Sequence, residues 1–236
     1  AFRPALGLPV TILLIAALAS GLVSFAERPV PLRTGIGSAH DAVKTVAPEA
    51  QKFYDQGLAY LHSYVWLEAA RSFNQALRID PHLAIAHAGL SLAYTELNAP
   101  ALARTALERA QSLAASAHDT RHVELRALQM AAEAAPRDSA PLGAYRAALD
   151  RALKEFPDDE ELWLLRGQAE TPDPAERGQG STAGSVRFYE KAKLLAPLHF
   201  AAHHFLAHAY ENSGATAQAL AEGAIYAKMA PDVPHA

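Results

Sequence analysis

The strongest constraint on this chain lies between Ala50 and Pro81, in the run AQKFYDQGLAYLHSYVWLEAARSFNQALRIDP. Apolar residues recur there at three- and four-residue spacing on both sides of a short break around Tyr64 and Val65, which predicts two antiparallel helices. Gly57 and Ala69 are small where such helices cross closely. Tyr60 and Phe73 fill the space beside them, and Pro81 cannot continue the second helix. One hairpin of this kind leaves its apolar face in water, so further copies must stack on it.

The rest of the chain supplies them. A second copy starts at Ala84 and places Ala86, Leu90, Tyr94, Ala103, Leu107 and Ala110 at the offsets of the first, with Ser91 where Gly57 stood. A third is expected from residues 119–134 and 141–156, divided by Pro136-Arg137-Asp138 and ended by Pro157, with Asp119 as a helix cap. Trp163 and Gly167 open a fourth, completed by Tyr189, Ala192 and Pro197. The long loop between its helices, residues 171–184, is glycine-rich but lacks the Gly-Lys-Ser/Thr of a phosphate loop. A fifth runs from Phe200 to Pro231 with Leu206, Tyr210, Gly214 and Ala219 in place. No polar capping helix follows, so the last hairpin is expected to present an apolar edge. The fold class is therefore all-α, a solenoid of about five hairpins over residues 48–236.

Composition narrows the functions open to such a fold. Lys and Arg number 21 against 25 Asp and Glu, a net charge of −4, so no basic field exists for nucleic acid. The absence of cysteine excludes disulfides, thiolate zinc sites and a cysteine nucleophile.

Ahead of the repeats, residues 5–26 (ALGLPVTILLIAALASGLVSFA) carry no charge and are long enough to cross about 30 Å of hydrocarbon. Leu6, Val10, Ile12, Leu13, Leu14, Ile15, Leu18, Leu22 and Phe25 would form the membrane anchor, packed against other membrane helices. A cleaved signal peptide is the rival, since Ser24-Phe25-Ala26 suits a peptidase. An uncleaved anchor over residues 1–27 is preferred, because a leading Ala is what remains when an initiator Met is trimmed. Residues 28–47, with Pro29, Pro31, Gly35 and Gly37, form a linker that leads off the membrane or lies along the protein's own groove.

The hairpin spacing resembles the tetratricopeptide repeat family, at Phe53, Gly57, Tyr60, Ala69, Phe73 and Pro81, with Gln56 replacing the family's leucine. The resemblance covers residues 48–231. Within that family, AAHHFLAHAYENS and APDVPHA are similar to bacterial repeat proteins with a histidine-rich later repeat. It implies a scaffold that holds partner segments in a concave groove lined by the first helix of each hairpin. Carried over position by position, the groove residues are Gln51, Tyr54, Leu58, Leu61 and His62, then Ile85, Ala88, Leu92 and Thr95, with His204, His208 and Glu211 in the fifth copy.

Leu58 and Leu92 have a simpler role available, packing between helices. Trp66, beside Tyr64 and Val65 at the rim, is expected to wedge between helices. His204, His208 and Glu211 share one helical face, and two histidines at i, i+4 with a carboxylate are donors for zinc or another borderline divalent ion. Three ligands on one helix lack a second element to fix them, and no catalytic H-E-x-x-H is present. These histidines are accordingly expected to serve structure or recognition. No cofactor is expected, and no triad, paired-carboxylate or dinucleotide signature is found.

The function expected is a membrane-anchored scaffold. It would act as an accessory subunit of a larger bacterial membrane complex, respiratory or photosynthetic, with the repeats on the periplasmic side of the inner membrane. Its partners would be other protein subunits and the bilayer. The alternatives are a metal-binding protein or metal-dependent enzyme built on His204, His208 and Glu211, and an assembly factor that binds client tails.

Overall fold

The structure is a computed structural model that describes residue 21, residues 25–171 and residues 182–235. Among the described residues from Pro48 onward there are ten helices and no strand. They are α1 (Pro48–His62), α2 (Trp66–Ile79), α3 (Ala84–Glu96), α4 (Pro100–Leu113), α5 (Ala117–Ala134), α6 (Ser139–Glu155), α7 (Glu160–Gln168), α8 (Ala183–Leu195), α9 (Phe200–Asn212) and α10 (Thr216–Met229). Consecutive helices pair into five hairpins, and neighbouring hairpins pack on one another in chain order. The chain is thus all-α and compatible with a solenoid.

Local chemistry accounts for where the helices begin and end. Pro48 and Pro100 occupy first-turn positions of α1 and α4, where an amide hydrogen has no helical partner to lose. The third hairpin starts at Ser116 rather than at the expected Asp119. Ser116 Oγ accepts from the Asp119 amide, so the serine is the cap and the aspartate belongs to the first turn. Asp138 caps α6 and Asp159 caps α7 in the same way.

Three hairpins turn through one shared device. Tyr64, Asn98 and Gly214 adopt left-handed backbone with φ of 58°, 55° and 77°. In each case the next amide reaches back into the helix, Val65 to Tyr60 O, Ala99 to Tyr94 O and Ala215 to Tyr210 O. Tyr64 and Asn98 are about one 34-residue period apart. Side chains rarely tolerate this conformation, and Tyr64 adopts it with a ring that matters below.

Close crossings rest on small residues facing rings. A side chain at Gly57 would bring its Cβ to 2.5 Å from Phe73, and one at Gly89 to 2.6 Å from the same ring. Phe73, fully buried, therefore locks α1, α2 and α3 together. Tyr189 lies over Gly167 in the fourth hairpin in the same manner.

The segment ahead of α1 does not hang free. Val30, Ile36 and Ala39 are buried in one core with Ala50, Phe53 and Phe73 of the first hairpin and Phe200, Tyr226 and Val233 of the fifth. This strap is held by its backbone. Gln56 accepts from the Arg33 amide at 2.7 Å and donates to Pro31 O at 3.1 Å. Arg71 donates to Pro29 O, and Asn74 to Ala26 O. Farther along, the Phe200 amide donates to Ser38 O and the Asp232 amide to Gly35 O, fastening the strap to the last hairpin.

The expected membrane anchor falls almost wholly outside the described residues. Leu6, Val10, Ile12, Leu13, Leu14, Ile15, Leu18 and Leu22 lie there, while Phe25 is exposed under the Arg28 guanidinium. No helix among the described residues is long and apolar enough to cross a membrane. The long loop of the fourth hairpin also falls mostly outside them. On the last helix, Leu220 and Ile225 are exposed, an apolar edge of the kind expected there.

Candidate functional site

The leading helices enclose a cavity with about 840 Å³ of empty space, its open mouth included. Tyr54, Leu58, Leu61, Ile85 and Leu92 give it an apolar wall, and His62, His122, Arg126 and Glu161 give it a polar one. Seven expected groove residues, Tyr54, Leu58, Leu61, His62, Ile85, Ala88 and Leu92, thus line one space. Thr95 stands beside them and accepts from Arg126, which also bonds Gln129 and Glu133. Trp66 lines the cavity's rim against Tyr64, the two ring centroids 5.1 Å apart.

Among the described residues, three groups of histidines and carboxylates lie in or beside this cavity, each close enough to share an ion. In the first, Glu161 lies at the start of α7, buried. His62, at the end of α1, approaches both of its oxygens at 3.0 Å, and His199, the residue capping α9, approaches one at 2.9 Å. His199 Nδ1 accepts from the Ala201 amide, so its Nε2 carries the hydrogen that it gives to Glu161. Burial alone would raise the Glu161 pKa, but the two imidazoles hold it far below the ordinary carboxylate range. This group ties the first, fourth and fifth hairpins together, and every ring nitrogen facing the carboxylate has an acceptor.

The second group joins α5, α7 and the strap. Asp159 Oδ2 lies 3.2 Å from His118 Nε2 and 2.8 Å from His122 Nε2, and its Oδ1 caps α7. Burial pushes Asp159 up, and the hydrogen bonds from both histidines overcome it, bringing the pKa down to about 2. His118 is raised to about 10, by Asp119 first and then Asp159. Asp41, from the strap, accepts from Tyr54 at 2.9 Å and lies 3.4 Å from His118. Its burial pushes it up to about 6, against the pull of His122 and His118.

The third group has no carboxylate at its centre. His204 Nε2 faces His208 Nε2 at 3.1 Å, and His208 Nε2 faces His235 Nε2 at 3.3 Å. Burial lowers all three pKa values, that of His204 well below 6.5 with help from the other two rings. Expected neighbours His204 and His208 are therefore brought together. Glu211 is not part of the convergent set: its side chain is 72% exposed and it lies 3.7 Å from the other nitrogen of His208. Its place is taken by His235, beyond α10.

Sequence reasoning did not nominate Asp41, His118, His122, Asp159, Glu161 or His235 as site residues, and noticed His199 only as adding to the histidine density before α9. The pair His118 and His122 has the same i, i+4 spacing that marked His204 and His208, and that signal was available. Glu161 and His235 meet partners remote in the chain and carried no local signal. No family model matches the chain, and no curated protein matches it.

Proposed function

We propose that this protein is a tetratricopeptide-type scaffold that holds a partner protein's segment against its inner cavity. It belongs, on this reading, to the accessory subunits of a bacterial membrane complex, tethered through residues 5–26 with the repeats on the periplasmic side. The observation that carries the reading is the apolar wall of Tyr54, Leu58, Leu61, Ile85 and Leu92 opposite fixed polar groups at Glu161, His62 and Arg126. Such a surface suits an extended or helical segment offering leucine, phenylalanine or proline side chains, with polar anchors that set its register.

The test is purification from source membranes in mild detergent, comparing the parent chain with Leu92→Arg. Leu92 is only partly buried and lines the cavity, so the change charges the wall without emptying the core. Subunits that remain with the parent at fixed stoichiometry and are lost from the variant support the reading. A parent chain that runs as a monomer with no companion subunit ends it, and substoichiometric, exchanging companions would point to a transient client-binding role instead.

A further inference from the structure

The three histidine groups differ in how their lone pairs are satisfied, and that difference singles out one of them. Around Glu161 and around Asp159, each facing pair is an N–H against a carboxylate oxygen, so protons complete both groups. At His204, His208 and His235, nitrogen faces nitrogen. His204 Nδ1 lies 2.6 Å from the His62 carbonyl, which can only accept, so the ring's hydrogen is on Nδ1 and Nε2 presents a lone pair. Glu211, beside His208 Nδ1, favours the hydrogen there as well, which leaves His208 Nε2 a second lone pair aimed at the first. Even with a proton on Nε2, one in-plane direction cannot serve two neighbours.

We propose that His204, His208 and His235 bind a borderline divalent cation, zinc or a close relative, through their three Nε2 atoms. Ligands about 2.0–2.1 Å from a tetrahedral ion lie about 3.3 Å from one another; His208 Nε2 stands 3.1 Å from that of His204 and 3.3 Å from that of His235, and all three ligand atoms lie within 4.8 Å of one another. Imidazole is the donor such ions favour, and the His62 carbonyl supplies the hydrogen bond that fixes ring orientation in histidine metal sites. The rings are also walled by aromatics. Tyr226 stacks on His204 at 4.6 Å and 14°, and Tyr64 meets His204 at 4.8 Å and His235 at 5.1 Å. The left-handed turn at Tyr64 is what brings that ring to the site. Two elements, α9 and the turn after α10, supply the ligands, so the geometry does not depend on a single helix. Three protein ligands leave a fourth position for water or for a donor atom of a bound molecule.

The experiment titrates the metal-free full chain with Co²⁺ and then Zn²⁺, following the visible absorption of cobalt and the displacement of a chelating dye. Binding of one equivalent with the intense spectrum of four-coordinate cobalt is expected. His208→Ala and His235→Ala should each weaken it by more than the ~10–100-fold that loss of a supporting hydrogen bond costs. His235 is exposed on the terminal turn, so its replacement leaves the helices intact, as circular dichroism would verify. The double variant His118→Ala/His122→Ala should bind as the parent does. Less than ~0.2 equivalents bound by the parent, binding unchanged by both His208→Ala and His235→Ala, or binding abolished only in the His118/His122 variant would each overturn the proposal.

Discussion

His62 belongs to two neighbouring groups that solve the same problem in opposite ways. Its side chain gives a hydrogen to Glu161, and its carbonyl takes one from His204. On the Glu161 side, donors and acceptors match and the contact is a clamp between hairpins. On the His204 side, three ring nitrogens face one another and no carboxylate is central to the group. A count of histidines would treat the two alike. Balancing donors against acceptors separates a structural ion pair from a binding site, because an unmatched buried lone pair destabilises the fold unless a ligand completes it.

The largest effect should come from breaking the clamp. Glu161→Ala leaves two buried imidazoles without an acceptor and is expected to cost about 3–5 kcal/mol, measured by denaturant unfolding at neutral pH. A loss under 1 kcal/mol would show that the clamp is decorative. Next comes acid, which tests the matched group at Asp159. Its folded-state pKa of about 2 lies below the ordinary 3.8, so its stabilisation is present above pH ~4 and lost as pH falls toward 2, a change on the order of 2 kcal/mol. His118 has the opposite sign. With its pKa raised to about 10, its contribution is complete below ~6.5 and fades as pH rises through 10. Asp159→Asn should flatten the acid limb and only reduce the alkaline one, which Asp119 sustains first.

A smaller change is expected at the strap. Gln56→Leu strips the Arg33 amide and Pro31 carbonyl of their partner, costing about 1 kcal/mol. Faster hydrogen exchange at the Arg33 amide is the specific readout, and unchanged exchange would refute the role given to Gln56. The smallest effect sharpens the contrast most. In metal-free protein, His208→Ala should shift stability by no more than about 0.5 kcal/mol, because it removes an opposed lone pair rather than a bond. A loss as large as that of Glu161→Ala would put the two groups in one class.

Much of the fold was legible because hairpin signals are local. Pro81, Pro136, Pro157 and Pro197 punctuate the chain, and the small residues opposite Phe73 and Tyr189 announce helix crossings. The site was legible only where its residues share a helix. His204 and His208 could be paired by spacing, whereas His62 and Glu161 meet across 99 residues of chain and only tertiary packing joins them. Glu211 was the nearest carboxylate in sequence, but the helix sends it to solvent and the third nitrogen arrives from the far side of α10. The departure at Gln56 carried information of its own. A polar residue where the tetratricopeptide resemblance leads one to expect leucine marks a place where the neighbour is polypeptide backbone rather than another apolar helix.

An open row of repeats can peel from either tip, one unit at a time. Here Gly35 and Ser38 are buttoned to Asp232 and Phe200 while the adjoining residues grip the first hairpin. The first and fifth hairpins are hooped together by this strap, and the seam can close only after the ribosome has delivered the fifth hairpin. A segment synthesised before the first hairpin is therefore the last to be seated.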